Sequence, residues 1–279
     1  MNQPGEADLP VRTRAALLDA LEALKAQLDA LIVIGAQALY FHTGDVDVAI
    51  PAETKDADIG VDRGKLRDDP RIEQAIETAD FYKDPDSPQP GAWISPGGIP
   101  VDLMVPEAMA GPPARNRRGV RLPPHDKGSM RRATGLEAAV VDNTREEIRS
   151  LDPADGRVFR VRLAGPGALL VAKLHKIGER SEGEGKRVRD KDAHDLYRLL
   201  VAIETRELAA GIGGLLHDPF SRAVTDRALV YLKELFAAGP DALGSQMAGR
   251  AEERVGEPAI VAASTAALAS DLLKAIAAP

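Results

Sequence analysis

Two aspartates separated by a single residue are the side chains whose type and spacing best suit chemistry. Asp56 and Asp58 alternate with the apolar Ala57, Ile59 and Val61, the period-two pattern of a β-strand with one polar face. Their carboxylates therefore lie on the same side of the strand, where the two charges repel each other unless a cation lies between them. Oxygen ligands of this kind suit Mg²⁺ or Mn²⁺, so the pair is a candidate metal site.

A third acid, Asp102, is the candidate partner of this pair. It stands alone among Val101, Leu103 and Met104 on a predicted apolar strand, where a charge without a partner is costly. A carboxylate from a neighbouring strand would complete a site for two metal ions about 3.5–4 Å apart, which can activate an attacking oxygen and stabilise a leaving one. We therefore expect Asp102 to be the third ligand.

A second Asp-x-Asp pair, Asp45 and Asp47, competes for the same role. It begins ten residues after Gly35, the glycine that ends an apolar run and precedes a short predicted helix. Spacing alone fits this pair as well as it fits Asp56 and Asp58. The residue pattern therefore leaves two possible metal pairs.

The elements that must position these residues follow from hydrophobic periodicity. Apolar residues three to four apart predict helices, and short runs rich in β-branched residues predict strands. The first half is predicted to contain helices over 11–29, 36–42 and 69–79, strands over 31–34, 56–62 and 99–105, a hairpin region over 84–96, and strand-like segments over 135–141, 147–151 and 158–163.

The second half of the sequence is predicted to be helical. Pro166 opens a strong helix that runs to Glu179, and the pattern stays helical from Arg189 almost to the end. Glycines and prolines predict breaks at 183–185, 211–214, 239–240 and 256–258. We therefore expect an α/β domain over residues 1–164 and an all-helical domain over residues 165–279.

Composition excludes several classes of site. The chain has no cysteine, which excludes disulfides, a thiol nucleophile and a cysteine zinc site, and it has no Walker, Gly-x-Gly-x-x-Gly or Gly-x-Ser-x-Gly motif. Charged residues make up 28% and hydrophobic residues 44%, as in soluble globular proteins. No apolar run approaches the length of a membrane span and the first residues do not resemble a signal peptide, so we expect a cytoplasmic protein without a membrane segment.

The net charge of −7 does not exclude a local basic surface, because steering depends on how charge is distributed. Residues 112–132 contain one acid, Asp126, and seven basic residues: Arg115, Arg117, Arg118, Arg121, Lys127, Arg131 and Arg132. Such a segment is either a solvated loop or a contact for RNA phosphates, whose affinity would depend on salt.

The order of the first motifs resembles that of the DNA-polymerase-beta-like nucleotidyltransferase superfamily. Gly35-Ala36, Asp56-Ala-Asp58 and Val101-Asp102-Leu103 resemble its glycine turn, its paired aspartates and its third aspartate. The resemblance implies a mixed sheet, metal ligation by the three aspartates, a role for Asp102 as base, and a triphosphate cradled by the amides of Gly35 and Ala36 at a helix N-terminus. Ala36 departs from the usual glycine or serine, and it has no hydroxyl for a phosphate contact.

The segment Thr54-Lys-Asp-Ala-Asp-Ile resembles the Thr-x-Asp-x-Asp block of one subgroup, the AbiEii/AbiGii-type toxin nucleotidyltransferases. This similarity favours Asp56 and Asp58 over Asp45 and Asp47 as the metal pair.

The Lys-Asp block, from Lys173-Leu to Lys-Asp192-Ala-His-Asp195-Leu, resembles a helical block of the same subgroup. By that resemblance Lys173 meets triphosphate oxygens as a point charge, and Asp192 is a second functional residue. Asp192 and Asp195 share one helix face, from which they could orient Lys173 or contact the acceptor.

The resemblance implies a Mg²⁺- or Mn²⁺-dependent enzyme that takes an NTP, passes NMP to an acceptor hydroxyl and releases pyrophosphate. The AbiEii-like group includes toxins that add nucleotides to tRNA ends, so a tRNA 3′ end is the expected acceptor and a cognate antitoxin an expected partner. Transfer to a small molecule or to a protein hydroxyl is a further possibility. The alternative class is an inactive nucleotidyltransferase-like module that binds nucleotide or RNA without turnover, and Ala36 is the feature that favours it.

Overall fold

The computed structural model of the chain describes residues 9–44, 56–85, 89–112, 119–182, 189–253 and 256–278. These residues form two compact units. The first unit holds the described residues within 1–37, 54–136 and 143–164, and the second holds those within 38–53, 137–142 and 165–279. The predicted class, an α/β part with a mixed sheet followed by a helical region, is confirmed.

An eight-stranded mixed sheet lies in the first unit. Its strands are β1 (Leu31–Ile34), β2 (Ala57–Val61), β3 (Tyr82–Lys83), β4 (Ala92–Ile94), β5 (Pro100–Pro106), β6 (Arg131–Ala133), β7 (Asn143–Arg149) and β8 (Val158–Ala164). Seven strands follow the order β3-β4-β5-β2-β1-β8-β7, and β6 pairs with β5. The pairs β1–β8, β2–β5 and β5–β6 are parallel, and the other pairs are antiparallel.

Helix α1 (Leu9–Ala23) covers the apolar face of this sheet. It packs against β2, β5 and β8, and also against α3 (Ile72–Thr78). Leu17 and Leu21 of α1 are fully buried, as are the apolar residues that alternate along β2 and β5. Burial of one such leucine contributes about 1.5–3 kcal/mol. The opposite sheet face carries Asp58 and Asp102, because side chains on a strand alternate between faces.

The predicted helix over 11–29 is confirmed as far as Ala23, where α1 ends, and is wrong beyond it. After α1 the chain continues as a 3₁₀ helix, Lys25–Ala30. Gln27 of this segment is buried, and its amide binds the backbone of Arg67 and the carbonyl of Pro70. The 3₁₀ segment thus contains a side chain, that of Gln27, which hydrogen-bonds to a loop about 40 residues away. Hydrophobic periodicity does not reveal such bonds.

The described part of the second unit is helical. Its elements are the end of α2 (Gly35–Thr43), α4 (Glu137–Val141), α5 (Pro166–Glu182), α6 (Asp190–Ala202), α7 (Thr205–His217), α8 (Arg222–Leu232), a π-helical turn (Lys233–Ala237), α9 (Leu243–Ala251) and α10 (Pro258–Ala277). The predicted breaks at 239–240 and before Pro258 are confirmed, and the predicted break at 183–185 lies outside the described residues.

Two predictions about local structure are wrong. The segment 135–141 was expected to be strand-like, but Glu137–Val141 forms α4, because a short apolar run with two alanines suits a helix as well as a strand. A break was expected at Gly211–Gly214, but α7 continues through it. Gly211 lies directly against Gly167 of α5, so small residues here permit close packing of two helices.

Among the described residues, α10 is long and apolar enough to cross a membrane, with a mean hydropathy of 1.5. Polar residues such as Asp271 and Lys274 interrupt its sequence, which is why no continuous apolar run was seen there. The helix packs against α7 and α9 through a buried face that includes Val261 and Leu272. Of its most apolar stretch, 33% is buried, and one helix of this length and composition does not by itself indicate a membrane span.

Candidate active site

Asp58 and Asp102 lie side by side on the polar face of the sheet. They are direct partners in the parallel pairing of β2 with β5, in the register that also pairs Ile59 with Leu103. Neighbouring strands are about 4.8 Å apart, and partnered side chains point to the same face. The two carboxylates are therefore neighbours, and both are half-buried. The predicted juxtaposition of one member of the Asp-x-Asp pair with Asp102 is present.

Gly35 lies next to Asp58 at the start of α2. Ile34, the last residue of β1, is the register partner of Asp58, and Gly35 follows it with a φ of +65°. A Cβ atom at position 35 would overlap Oδ2 of Asp58. Glycine is therefore needed here for two reasons, since the left-handed backbone disfavours other residues and the carboxylate occupies the space of a side chain.

Asp56 and Ala36 complete the residues predicted for this part of the site. Asp56 lies immediately before β2, two residues from Asp58, and is half-buried. Ala36 is the second residue of α2 and is buried, with 5% of its surface exposed. The first amides of a helix have no partner within the helix and are suited to bind anions.

Arg131 is a site residue that the sequence did not single out. It lies on β6, where it is the register partner of Met104 on the same face as Asp102. Its Nη2 donates to Oδ2 of Asp102 at 2.5 Å, and about a quarter of each side chain is exposed. The arginine had been counted only as one of a basic run. No local signal distinguishes it from Arg132, because only the pairing of β6 with β5 brings it to the aspartate.

Lys173 and Asp192 lie in the second unit, where α5 and α6 form a buried cluster of charges. The Nζ of Lys173 is 2.5 Å from Oδ2 of Asp195 and 3.5 Å from Oδ1 of Asp192. Asp192 also accepts from Lys176 at 2.8 Å and from Arg180 at 2.7 Å. The lysine and both aspartates are almost fully buried. The structure thus gives this block an ion-pair role between two helices, and its predicted role in triphosphate binding stays a prediction.

The charge balance of this cluster favours ionised Asp192. Burial opposes its negative charge, but the nearby charges of Lys173, Lys176 and Arg180 outweigh burial and hold the pKa of Asp192 far below its usual value. The second carboxylate oxygen of Asp195, Oδ1, is buried and has no hydrogen-bond partner among the described residues.

Several predicted residues lie outside the described part of the chain. These are the rival pair Asp45 and Asp47, Thr54 of the Thr-x-Asp-x-Asp block, and Arg115, Arg117 and Arg118 of the basic segment. The choice between the two Asp-x-Asp pairs therefore rests on the resemblance together with the position of Asp58 beside Asp102.

The donor set fits a divalent cation that is bound together with a phosphate ligand. Within the described ranges, no group of three or more His, Asp or Glu side chains is arranged to hold a metal ion. Mg²⁺, however, is commonly held by one or two carboxylates plus substrate phosphates, with water completing its shell. Asp58 and Asp102, with Asp56 beside them, match that pattern of donors.

Two shallow cavities occur elsewhere in the described structure. One, of about 550 Å³, is lined mainly by residues of α7 with Asp142. The other, of about 470 Å³, is lined by residues of α1 and α3 with Arg157. Neither of these two cavities is lined by Asp58 or Asp102.

Comparison with known proteins does not identify a family for this chain. No family model matches the chain, and no curated protein matches it. Among solved structures, JHP933 from Helicobacter pylori is similar over 99% of this chain and 95% of its own length, with 13% sequence identity and a TM-score of 0.41. A similarity this low does not establish a shared fold or function.

Proposed function

We propose that this chain is a metal-dependent nucleotidyltransferase, which moves NMP from an NTP to an acceptor hydroxyl. One observation carries the proposal. Asp58 and Asp102 are register partners on neighbouring strands, and the carboxylate of Asp58 lies against Gly35 at the first turn of α2. Paired carboxylates next to the amides of a helix N-terminus suit a cation and a phosphate chain bound together.

In the proposed reaction the acceptor oxygen forms a bond to the α-phosphorus of the NTP. The bond from that phosphorus to the oxygen bridging to the β-phosphate breaks, and pyrophosphate leaves with the electron pair. Asp102 would take the hydroxyl proton, Asp56 and Asp58 would hold Mg²⁺ or Mn²⁺ with Asp102, and the amides of Gly35 and Ala36 would hold phosphate oxygens. The bound cation would supply charge stabilisation for the attacking and leaving oxygens.

The resemblance to AbiEii-type toxins supports a tRNA 3′ end as acceptor, a cytoplasmic location and a cognate antitoxin as partner. By the same resemblance Lys173 would offset charge on the triphosphate. Its tight pairing with Asp195 means that a phosphate would have to compete for the ammonium. Loss of triphosphate binding in Lys173→Met, with the fold intact by circular dichroism, would support that role.

The experiment is a label-transfer assay. The full chain is incubated with each α-labelled NTP, Mg²⁺, and total RNA or protein as acceptor, beside Asp58→Asn and Asp102→Asn. We expect transfer by the wild type and a loss of at least about a hundredfold in both variants, because each removes charge stabilisation at the reacting phosphate. Asp80→Asn is the matched control. It removes an exposed aspartate whose φ of +61° asparagine also tolerates, so transfer should not change.

A binding module without turnover is the second candidate function. The ion pair of Asp102 with Arg131 favours it, because a carboxylate oxygen held by an arginine is less available to a metal ion. Magnesium-dependent NTP binding without transfer to any acceptor would support this candidate. Absence of both binding and transfer in the wild type would contradict the two candidates together.

A further inference from the structure

The Arg131–Asp102 pair joins a cation of the protein to a proposed metal ligand. We propose that Arg131 is a phosphate-binding residue that neutralises Asp102 in the free protein and turns to the phosphate oxygens when nucleotide and cation bind. This inference rests on the proposed function, and it adds a residue and an order of binding that the motif pattern does not contain.

The hydrogen bonds of Arg131 differ from those of its neighbour Arg132. Arg132 donates to backbone carbonyls of Gly111, Pro112 and Gly119, so it ties a loop to β6. Among the described residues the side chain of Arg131 makes a single hydrogen bond, which its Nη2–H donates to Asp102. A guanidinium has five N–H donors, and its planar fork matches phosphate oxygens. Most of the donor capacity of Arg131 is therefore open to a ligand on this face.

The position of Arg131 lets the guanidinium move while its backbone stays in place. The register of β6 with β5 fixes its Cα opposite Met104, on the same face as Asp102 and Asp58. Its side chain is 23% exposed, so solvent and ligands can reach it. Rotation of the side chain alone would bring the guanidinium from the carboxylate to an anion bound beside it.

Charge balance supplies the reason for an exchange. Asp56, Asp58 and Asp102 are three acids in two adjacent strand ends, and like charges this close oppose one another unless a cation intervenes. In the free protein Arg131 is that cation for Asp102. Mg²⁺ loses its bound water molecules reluctantly, and it is usually held by one or two carboxylates together with substrate phosphates. Without nucleotide, the site should therefore bind Mg²⁺ weakly. When the cation binds together with the triphosphate, the cation replaces Arg131 beside Asp102. The triphosphate then accepts hydrogen bonds from the guanidinium of Arg131.

The test measures binding rather than turnover, with the full chain as wild type, Arg131→Ala, Arg131→Lys and Arg145→Ala. Titration calorimetry gives the affinity for Mn²⁺ alone and for the α,β-methylene analogues of the four NTPs with Mg²⁺. Arg145 is the control, since it lies on β7 of the same sheet and also forms an ion pair with an aspartate, Asp29. Circular dichroism establishes that each variant is folded.

We expect Arg131→Ala to bind Mn²⁺ alone at least about tenfold more tightly and the analogue at least about tenfold more weakly, the effect of one charge-assisted hydrogen bond. Arg131→Lys keeps the charge but loses the fork, so its Mn²⁺ affinity should match the wild type and its analogue affinity should fall between the two. Arg145→Ala should keep both affinities.

Unchanged affinity for both ligands in folded Arg131→Ala would overturn the inference and leave the arginine a structural partner. If that variant does not fold, Arg131→Lys decides, and an analogue affinity equal to that of the wild type overturns the inference. If the wild type binds no analogue at all, the proposed function fails and the inference fails with it, which is distinct from equal binding by wild type and variant.

Discussion

At the scale of single residues, Gly35 and Asp58 depend on each other. The carboxylate of Asp58 fills the space that a side chain at position 35 would need, and the backbone of Gly35 has a φ that other residues rarely adopt. The carboxylate of Asp58 can occupy this position because residue 35 has no side chain. This gives the glycine of the predicted turn a steric role as well as a conformational one.

Gly35→Ala should therefore destabilise the protein by about 1–3 kcal/mol, with the overlap against Asp58 adding to the cost of the left-handed backbone. Urea unfolding measures the change in free energy. Gly213→Ala is the matched control, because Gly213 lies inside α7 and a Cβ atom there would meet open space. This variant should be about 0.5–1 kcal/mol more stable than the wild type. A Gly35→Ala variant as stable as the wild type would contradict this steric role.

At the scale of elements, the ion pairs between α5 and α6 hold two helices of the second unit together. The basic residues Lys173, Lys176 and Arg180 lie three to four residues apart on α5, and Asp192 of α6 contacts all three. Lys173 and Asp192 are almost fully buried, and charges this deeply buried are costly unless they are paired. The cluster thus stabilises the packing of α5 against α6. A functional role for Lys173 would come in addition to this structural role.

Asp192→Asn should destabilise the protein by about 3 kcal/mol near pH 6, because it removes the buried negative charge that pairs with Lys173, Lys176 and Arg180. The folded pKa of Asp192 is lowered, so its stabilisation is present above the unfolded pKa of about 3.9 and is lost as pH falls towards the folded pKa. The difference between wild type and variant should shrink by about 1 kcal/mol at pH 3.

Denaturant unfolding at pH 6 and pH 3 measures this difference. Asp190→Asn on the same helix is the control, since its exposed pair with Arg250 should be worth less than about 1 kcal/mol. Equal effects of the two substitutions at pH 6 would show that the cluster does not stabilise the α5–α6 packing.

At the scale of the whole molecule, α10 decides whether the chain behaves as a soluble protein. The helix is apolar enough for a membrane, yet Val261, Thr265, Ala269 and Leu272 are buried against other helices of the second unit. Ile260, by contrast, is 63% exposed. An apolar helix with one buried face and scattered exposed apolar residues is ordinary in a soluble protein.

We expect the purified full chain to stay in the supernatant after ultracentrifugation without detergent. Leu272→Ala should lower the free energy of unfolding by about 2–5 kcal/mol, and Ile260→Ala should change it by less than about 0.5 kcal/mol. Recovery of the wild type only with detergent, or equal effects of the two substitutions, would point to a membrane role for α10.

The sequence predicted the elements around the candidate site well, because these are elements with strong local signals. The strand Leu31–Ile34, the turn at Gly35 and the strands that carry Asp58 and Asp102 have clear apolar patterns and a clear stop. The predictions failed where local signals are ambiguous. The strand-like segment before residue 142 proved helical, and the glycines of α7 did not end a helix. One of them, Gly211, packs against Gly167 of α5, where small residues permit close approach of the two helices.

The sequence by itself determined the class of fold and the placement of Asp56 and Asp58 on one face of a strand. Both follow from residue periodicities, of 3.6 for helices and of two for strands. Only the tertiary structure decided which strands are neighbours. It placed Asp58 in register with Asp102, Arg131 against Asp102, and Lys173 against Asp195. These contacts join residues far apart in the chain, and strand order and side-chain pairing depend on how the whole chain packs.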